Sequence, residues 1–130
     1  MRFMKALDQG PFVPGPLADW GLFTRLIEIG EDLYAVRHID VFTSGRFLRY
    51  DRIHWVDGFG MLAGAWFGWG EIKRPEWQIQ TIGEAEFELE WEAAGRSPQW
   101  PLQVASAKMV RWGLVPVWLR QRQNLDLSPP

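Results

Sequence analysis

The chain has 130 residues, a formal net charge of −2, no cysteine and two histidines, with nine Trp, eight Phe and two Tyr among 47% apolar and 23% charged residues. That length and balance fit one domain with its own core and exclude disorder for the bulk of the chain; without cysteine, disulfides and thiolate-held metals are excluded as well. Charge is unevenly placed: residues 1–92 carry nine Lys/Arg against fifteen Asp/Glu, and residues 93–130 carry five against Asp126 alone. An acidic body lacks the basic field of a general nucleic-acid binder.

Arg2 and Lys5 are followed by no apolar run of signal-peptide character, and no uncharged apolar stretch approaches a membrane-spanning length of about 18 residues. A cytoplasmic location is the expectation. Gly10-Pro-Phe-Val-Pro-Gly-Pro16 places three prolines where ladder and helix donors are needed, so residues 1–22 are expected to form an extended N-terminal arm.

Residues 23–95 are expected to form an α+β body. Phe23–Ile29 alternates in part, with Phe23, Ile27 and Ile29 on one side, although Arg25 and Leu26 break the pattern. Gly30-Glu31-Asp32 is a turn signal, and Leu33–Phe42 is rich in β-branched and aromatic residues. Val36 and Ile39 have opposite parity, which predicts a bulge near Arg37–His38. After Thr43-Ser44-Gly45, the run Arg46–Ile53 puts Leu48 and Tyr50 on one face and Phe47 and Arg49 on the other. Three strands on short turns predict an antiparallel meander over residues 23–53. Residues 54–70 interleave five glycines with aromatics and read as a loop whose rings fold back on the sheet or face a partner.

Residues 84–92 alternate perfectly, which is the strand template, but a strand would line five glutamates along one face. A helix at about 84–94 spreads those charges, uses good helix formers, and gathers Phe87, Trp91 and Ala94 on one side. Thr81 and Glu84 stand at capping-box spacing, and Gly95 supplies a stop. The fold class predicted is therefore an antiparallel sheet covered by this helix. Residues 96–130 read as a basic C-terminal extension with a short amphipathic helix marked by Leu102, Ala105, Met109 and Trp112.

Several of these segments together resemble a small bacterial domain of unknown function. They are Ile27–Ile29, Leu33–Phe42, Ser44-Gly45, Leu48–Arg52 and Gly60–Ala63, with Thr81, Glu84, Phe87, Glu88 and Trp91 matching a closing Thr/Ser-x-x-Glu-Phe-Glu-x-x-Trp helix. Two residues separate Glu84 from Phe87, a departure from the tighter pattern of such domains. The resemblance covers residues 23–95. It implies a single-domain interaction protein of the kind that includes immunity proteins, and it implies no catalytic residues.

The chemistry of the residues points the same way. His38 with Asp40 and His54 with Asp57 are too few ligands for a metal centre. No phosphate-binding loop and no Gly-x-Ser-x-Gly turn occur, and no cofactor is expected. Arg46, Phe47, Arg49, Tyr50 and Arg52 interleave base and aromatic, but the arginines fall on both faces of a strand, so no nucleic-acid surface is expected. Nine indoles exceed what a core of this size readily shelters, which predicts an exposed aromatic patch for protein binding. Trp66, Phe67, Trp69 and Trp77 are the expected anchors, joined by Trp112 and Trp118 from the tail, with Glu86 and Glu90 steering a basic partner. The alternative is a carbohydrate or small-ligand module using the same aromatics. A third reading, a small hydrolase, requires Asp51, His54 and Asp57 to converge. The segment 112–122 mixes Trp112, Trp118 and Leu119 with Arg120 and Arg122, yet Pro116 breaks it, so membrane contact is not the expected role.

Overall fold

The computed structural model describes residues 2–9, 18–64, 67, 78–105, 116 and 118–119. Five antiparallel strands form one sheet: β1 (Arg2–Gln9), β2 (Phe23–Ile29), β3 (Ala35–Phe42), β4 (Phe47–Asp51) and β5 (Ile79–Thr81), in the order β4-β3-β2-β1-β5. One helix, α1 (Glu84–Gly95), packs on it. The α+β class, the meander and the helix all agree with expectation.

The N-terminal segment differs from expectation. Arg2–Gln9 is no arm: it is β1, seated between β2 and β5, with Arg2 opposite Ile29 and Met4 opposite Thr81. Phe3 and Ala6 are buried, which is the reward for inserting this stretch into the sheet. The proline-rich 10–16 lies outside the described residues.

Both faces of the sheet are covered. Beneath α1, Phe3, Leu26 and Ile39 meet Phe87 and Ala94, with Val41, Phe47, Ile82 and Trp91 packed around them. On the opposite face Phe23, Ile27, Ile29, Phe42, Leu48 and Tyr50 are roofed by Trp55, Leu62, Phe67 and Trp118. This explains the broken alternation in β2. Leu26 turns to the helix side, and Arg25 turns to the other, where it pairs with Asp40. A strand buried on both faces has no polar face to alternate with.

The bulge is present one residue earlier than expected. Glu28 opposes Arg37 and Ile29 opposes Ala35, which leaves Val36 as the extra residue. It puts Ala35 in the roofed core and Ile39 under the helix, although their numbers share a parity.

The helix ends are also built differently. Thr81 closes β5, and α1 starts after Gly83 with no side-chain cap, so the capping box does not form. Glu84 and Glu86 still occupy the first turn, where the helix dipole favours them. Gly95 is the last helical residue rather than a left-handed cap, and Arg96 follows in right-handed geometry. Its missing side chain matters for another reason: a Cβ there would lie 2.7 Å from Arg49 Nη1.

The C-terminal region is not an appendage at its described positions. The predicted helix beginning at Leu102 is replaced by a 3-10 turn, Trp100–Leu102, and Ala105 forms an isolated bridge with Asp57. Residues 106–112 lie outside the described residues. Trp118 belongs to the roofed core. No helix among the described residues is long and apolar enough to cross a membrane.

Candidate functional site

The residues richest in chemistry gather around Asp57, in the loop that follows β4. That loop is tight because Asp57 Oδ1 accepts the N–H groups of Phe59 (2.8 Å) and Gly60 (3.2 Å), while Asp57 N–H donates to Gly60 O at 2.9 Å. Tyr50 on β4 donates its hydroxyl to the same Oδ1 at 2.8 Å. Oδ2 pairs with His54 Nε2 and accepts from Gln103 Nε2, both at 2.9 Å. Burial would push this carboxyl up, but the bonds from His54, Gln103, Phe59 and Tyr50 hold it below the usual carboxylate range. The Tyr50 phenol is driven well above its ordinary value, by burial and then by the Asp57 charge.

Of the three residues a hydrolase would require, His54 and Asp57 meet through their side chains, whereas the contacts of the Asp51 carboxylate are with backbone. Asp51 Oδ1 accepts the backbone N–H groups of Ile53 (2.8 Å) and His54 (2.6 Å). Asp57 has its lone pairs occupied by five donors, and among the described residues no hydroxyl bonds the His54 imidazole. A nucleophilic site needs an activated hydroxyl or thiol beside the base. What this arrangement does is brace the loop and hold residue 103 against β4.

A second polar cluster lies within the sheet. Arg25 clasps Asp40 through Nε (2.7 Å) and Nη2 (3.0 Å). His38 Nδ1 accepts the Ala63 N–H at 3.0 Å, so the neutral ring carries its proton on Nε2, which faces Asp40 Oδ2 at 3.4 Å. Burial, reinforced by the Arg25 charge, lowers the His38 pKa and keeps the ring neutral. Burial alone would raise Asp40, and the Arg25 guanidinium holds it far below its ordinary range instead. Among the described residues no group of three or more His, Asp or Glu is arranged to hold a metal ion.

Four of the five described indoles, those of Trp20, Trp91, Trp100 and Trp118, carry the chain's own arginines. Arg49 lies between Trp91 (4.5 Å) and Trp100 (4.2 Å) and donates to Trp91 O at 3.1 Å. Arg37 covers Trp91 and Phe87 while bonding Glu28 and Glu88. Arg46 covers Trp20, and Arg52 covers Trp118.

Of the expected anchors, Trp66, Trp69, Trp77 and Trp112 lie outside the described residues. Phe67 and Trp118 are corrected: they are 3% and 0% exposed, in the core, with Trp118 edge-on to Trp55 at 6.3 Å. A sheet with two apolar faces needs two covers, and these rings supply the second. Glu86 is exposed and pairs with Lys5 at 2.9 Å, whereas Glu90 is half-buried. Between them Leu89 stands 65% exposed on the outer face of α1, along with Glu84 and Glu92. This position of Leu89 follows from the sequence, since the helical spacing that gathers Phe87, Trp91 and Ala94 on one side turns Leu89 to the other. Gln99 and Gln103 carried no sequence signal, and that of Arg49, the base/aromatic interleave around it, did not point to Trp91 and Trp100.

Comparisons with protein-family models, curated proteins and solved structures return no match.

Proposed function

We propose that this chain is a non-catalytic protein-binding protein, an immunity protein or a small accessory subunit of a larger assembly, which meets a basic partner through the outer face of α1. The observation that supports this most directly is Leu89, 65% exposed on that face. Helical spacing sets Ala85, Glu86, Glu92 and Ala93 around it, and of these only Ala93 is not exposed. Leu89 with Ala85 and Ala93 forms an apolar centre flanked by the carboxylates of Glu86 and Glu92, which has the layout of a contact surface, with the carboxylates giving steering and the centre affinity. The acidic balance of residues 1–92 extends the same field. A cytoplasmic location accompanies the reading, on the ground of a cysteine-free sequence.

The carbohydrate reading needs open indole faces, and Trp20, Trp91 and Trp100 carry guanidinium groups on theirs. The test is affinity capture from the native cell at low and moderate salt, with the wild type beside Leu89→Lys and Glu90→Lys. A partner held by the wild type, weakened by salt and lost from Leu89→Lys is the expected result. Recovery of the same proteins by all three chains at both salts would overturn the reading.

A further inference from the structure

β4 is an end strand of the sheet, and its outward backbone groups need partners. Those of Phe47 and Arg49 find them in side chains. Phe47 N–H donates to Gln99 Oε1 at 3.1 Å. Arg49 N–H donates to Gln103 Oε1 at 3.2 Å, and Gln103 Nε2 donates back to Arg49 O at 3.1 Å. The Gln103 amide thus makes the reciprocal pair of bonds that a peptide group on a neighbouring antiparallel strand would make. Its second N–H goes to Asp57 Oδ2. Asp51 N–H is covered by His54 O at 3.2 Å.

The covering segment has its amphipathicity reversed. Ser97 and Gln103 are buried, while Leu102 and Val104 are 64% and 71% exposed. Its hold on the body is polar, apart from Trp100, which lies against Arg49 and His54. The inner side of β4, by contrast, is fixed by the β3 ladder, with Leu48 and Tyr50 sunk in the core.

We propose that residues 97–105 are a hinged cover over the β4 edge, latched by Gln103, which opens as one unit while the sheet stays folded. Opening frees the Phe47 and Arg49 amides and the Arg49 carbonyl, the groups that strand addition uses. The inference is independent of the α1 contact face, and either stands if the other falls.

Native-state hydrogen exchange on the full chain in rising urea tests it. The amides of Phe47 and Arg49, whose acceptors Gln99 and Gln103 lie on the cover, are expected to share one opening free energy and one urea dependence. They should exchange at least about tenfold faster than Leu48 and Tyr50. Gln103→Ala should speed the whole set together and speed Leu48 and Tyr50 by no more than the same factor, so that the gap between the two groups persists; should that variant not fold, the wild-type pattern decides. Separate free energies without urea dependence would mean local fraying, and exchange in step with Leu48 and Tyr50 would mean global unfolding. Either result overturns the proposal.

Discussion

Asp40 is a buried carboxylate whose charge is tolerated because Arg25 grips both its oxygens. Asp40→Asn keeps the shape and strands the guanidinium, and should cost about 3 kcal/mol in urea unfolding. Asp40 and Asp57 both titrate below their ordinary value of 3.8 when folded. Their stabilisation is therefore full above that value. It declines as pH falls below it, because the unfolded chain takes up the protons first, and it is gone below the folded pKa values. The urea midpoint should accordingly drop between about pH 4 and pH 2, with a shallower drop in Asp40→Asn. Equal slopes in both chains would show that Asp40 carries none of the acid sensitivity. Asp57→Ala leaves Tyr50, Gln103 and two backbone donors without their acceptor. A loss of about 3 kcal/mol is expected by equilibrium denaturation.

At the level of elements, α1 has two unlike faces. Phe87 is fully buried and tilted on Phe3 at 5.3 Å, whereas Leu89 projects outward. Phe87→Ala should cost about 3–5 kcal/mol and Leu89→Ala no more than about 0.5, measured by urea denaturation; similar costs would mean that α1 is seated otherwise. The helix was legible because a strand would have lined up five glutamates, a repulsion no neighbouring base offsets. Its start at Glu84 was legible as well, but its cap was not, because Thr81 is used as a strand residue in pairing with Met4. The bulge was legible from Val36 and Ile39 to within one residue, since parity reveals that an extra residue exists but not which one is left unpaired. The Gln99 and Gln103 edge contacts could not be foreseen, because a glutamine side chain replaces a strand only where the fold brings it to an open edge.

The molecule as a whole is a sheet with two covers, and the second cover recruits chain far apart in sequence. Trp118 has no solvent exposure and packs in one cluster with Trp55, Leu62 and Phe67. Trp118→Ala should cost about 3–5 kcal/mol and shift the remaining tryptophan fluorescence to the red as the core is opened to water. An unchanged unfolding midpoint would show that the roof closes without that ring. The sequence by itself determined the meander, the helix and the acidic balance of the body, because periodicity, turn residues and charge act between near neighbours. Only the tertiary structure decided that β1 lies within the sheet, that Phe67 and Trp118 face inward, and that Tyr50, His54 and Gln103 meet on Asp57 in a brace. Those outcomes depend on which apolar faces remain uncovered once the strands have paired, and that is a property of the assembled sheet rather than of any local stretch of chain.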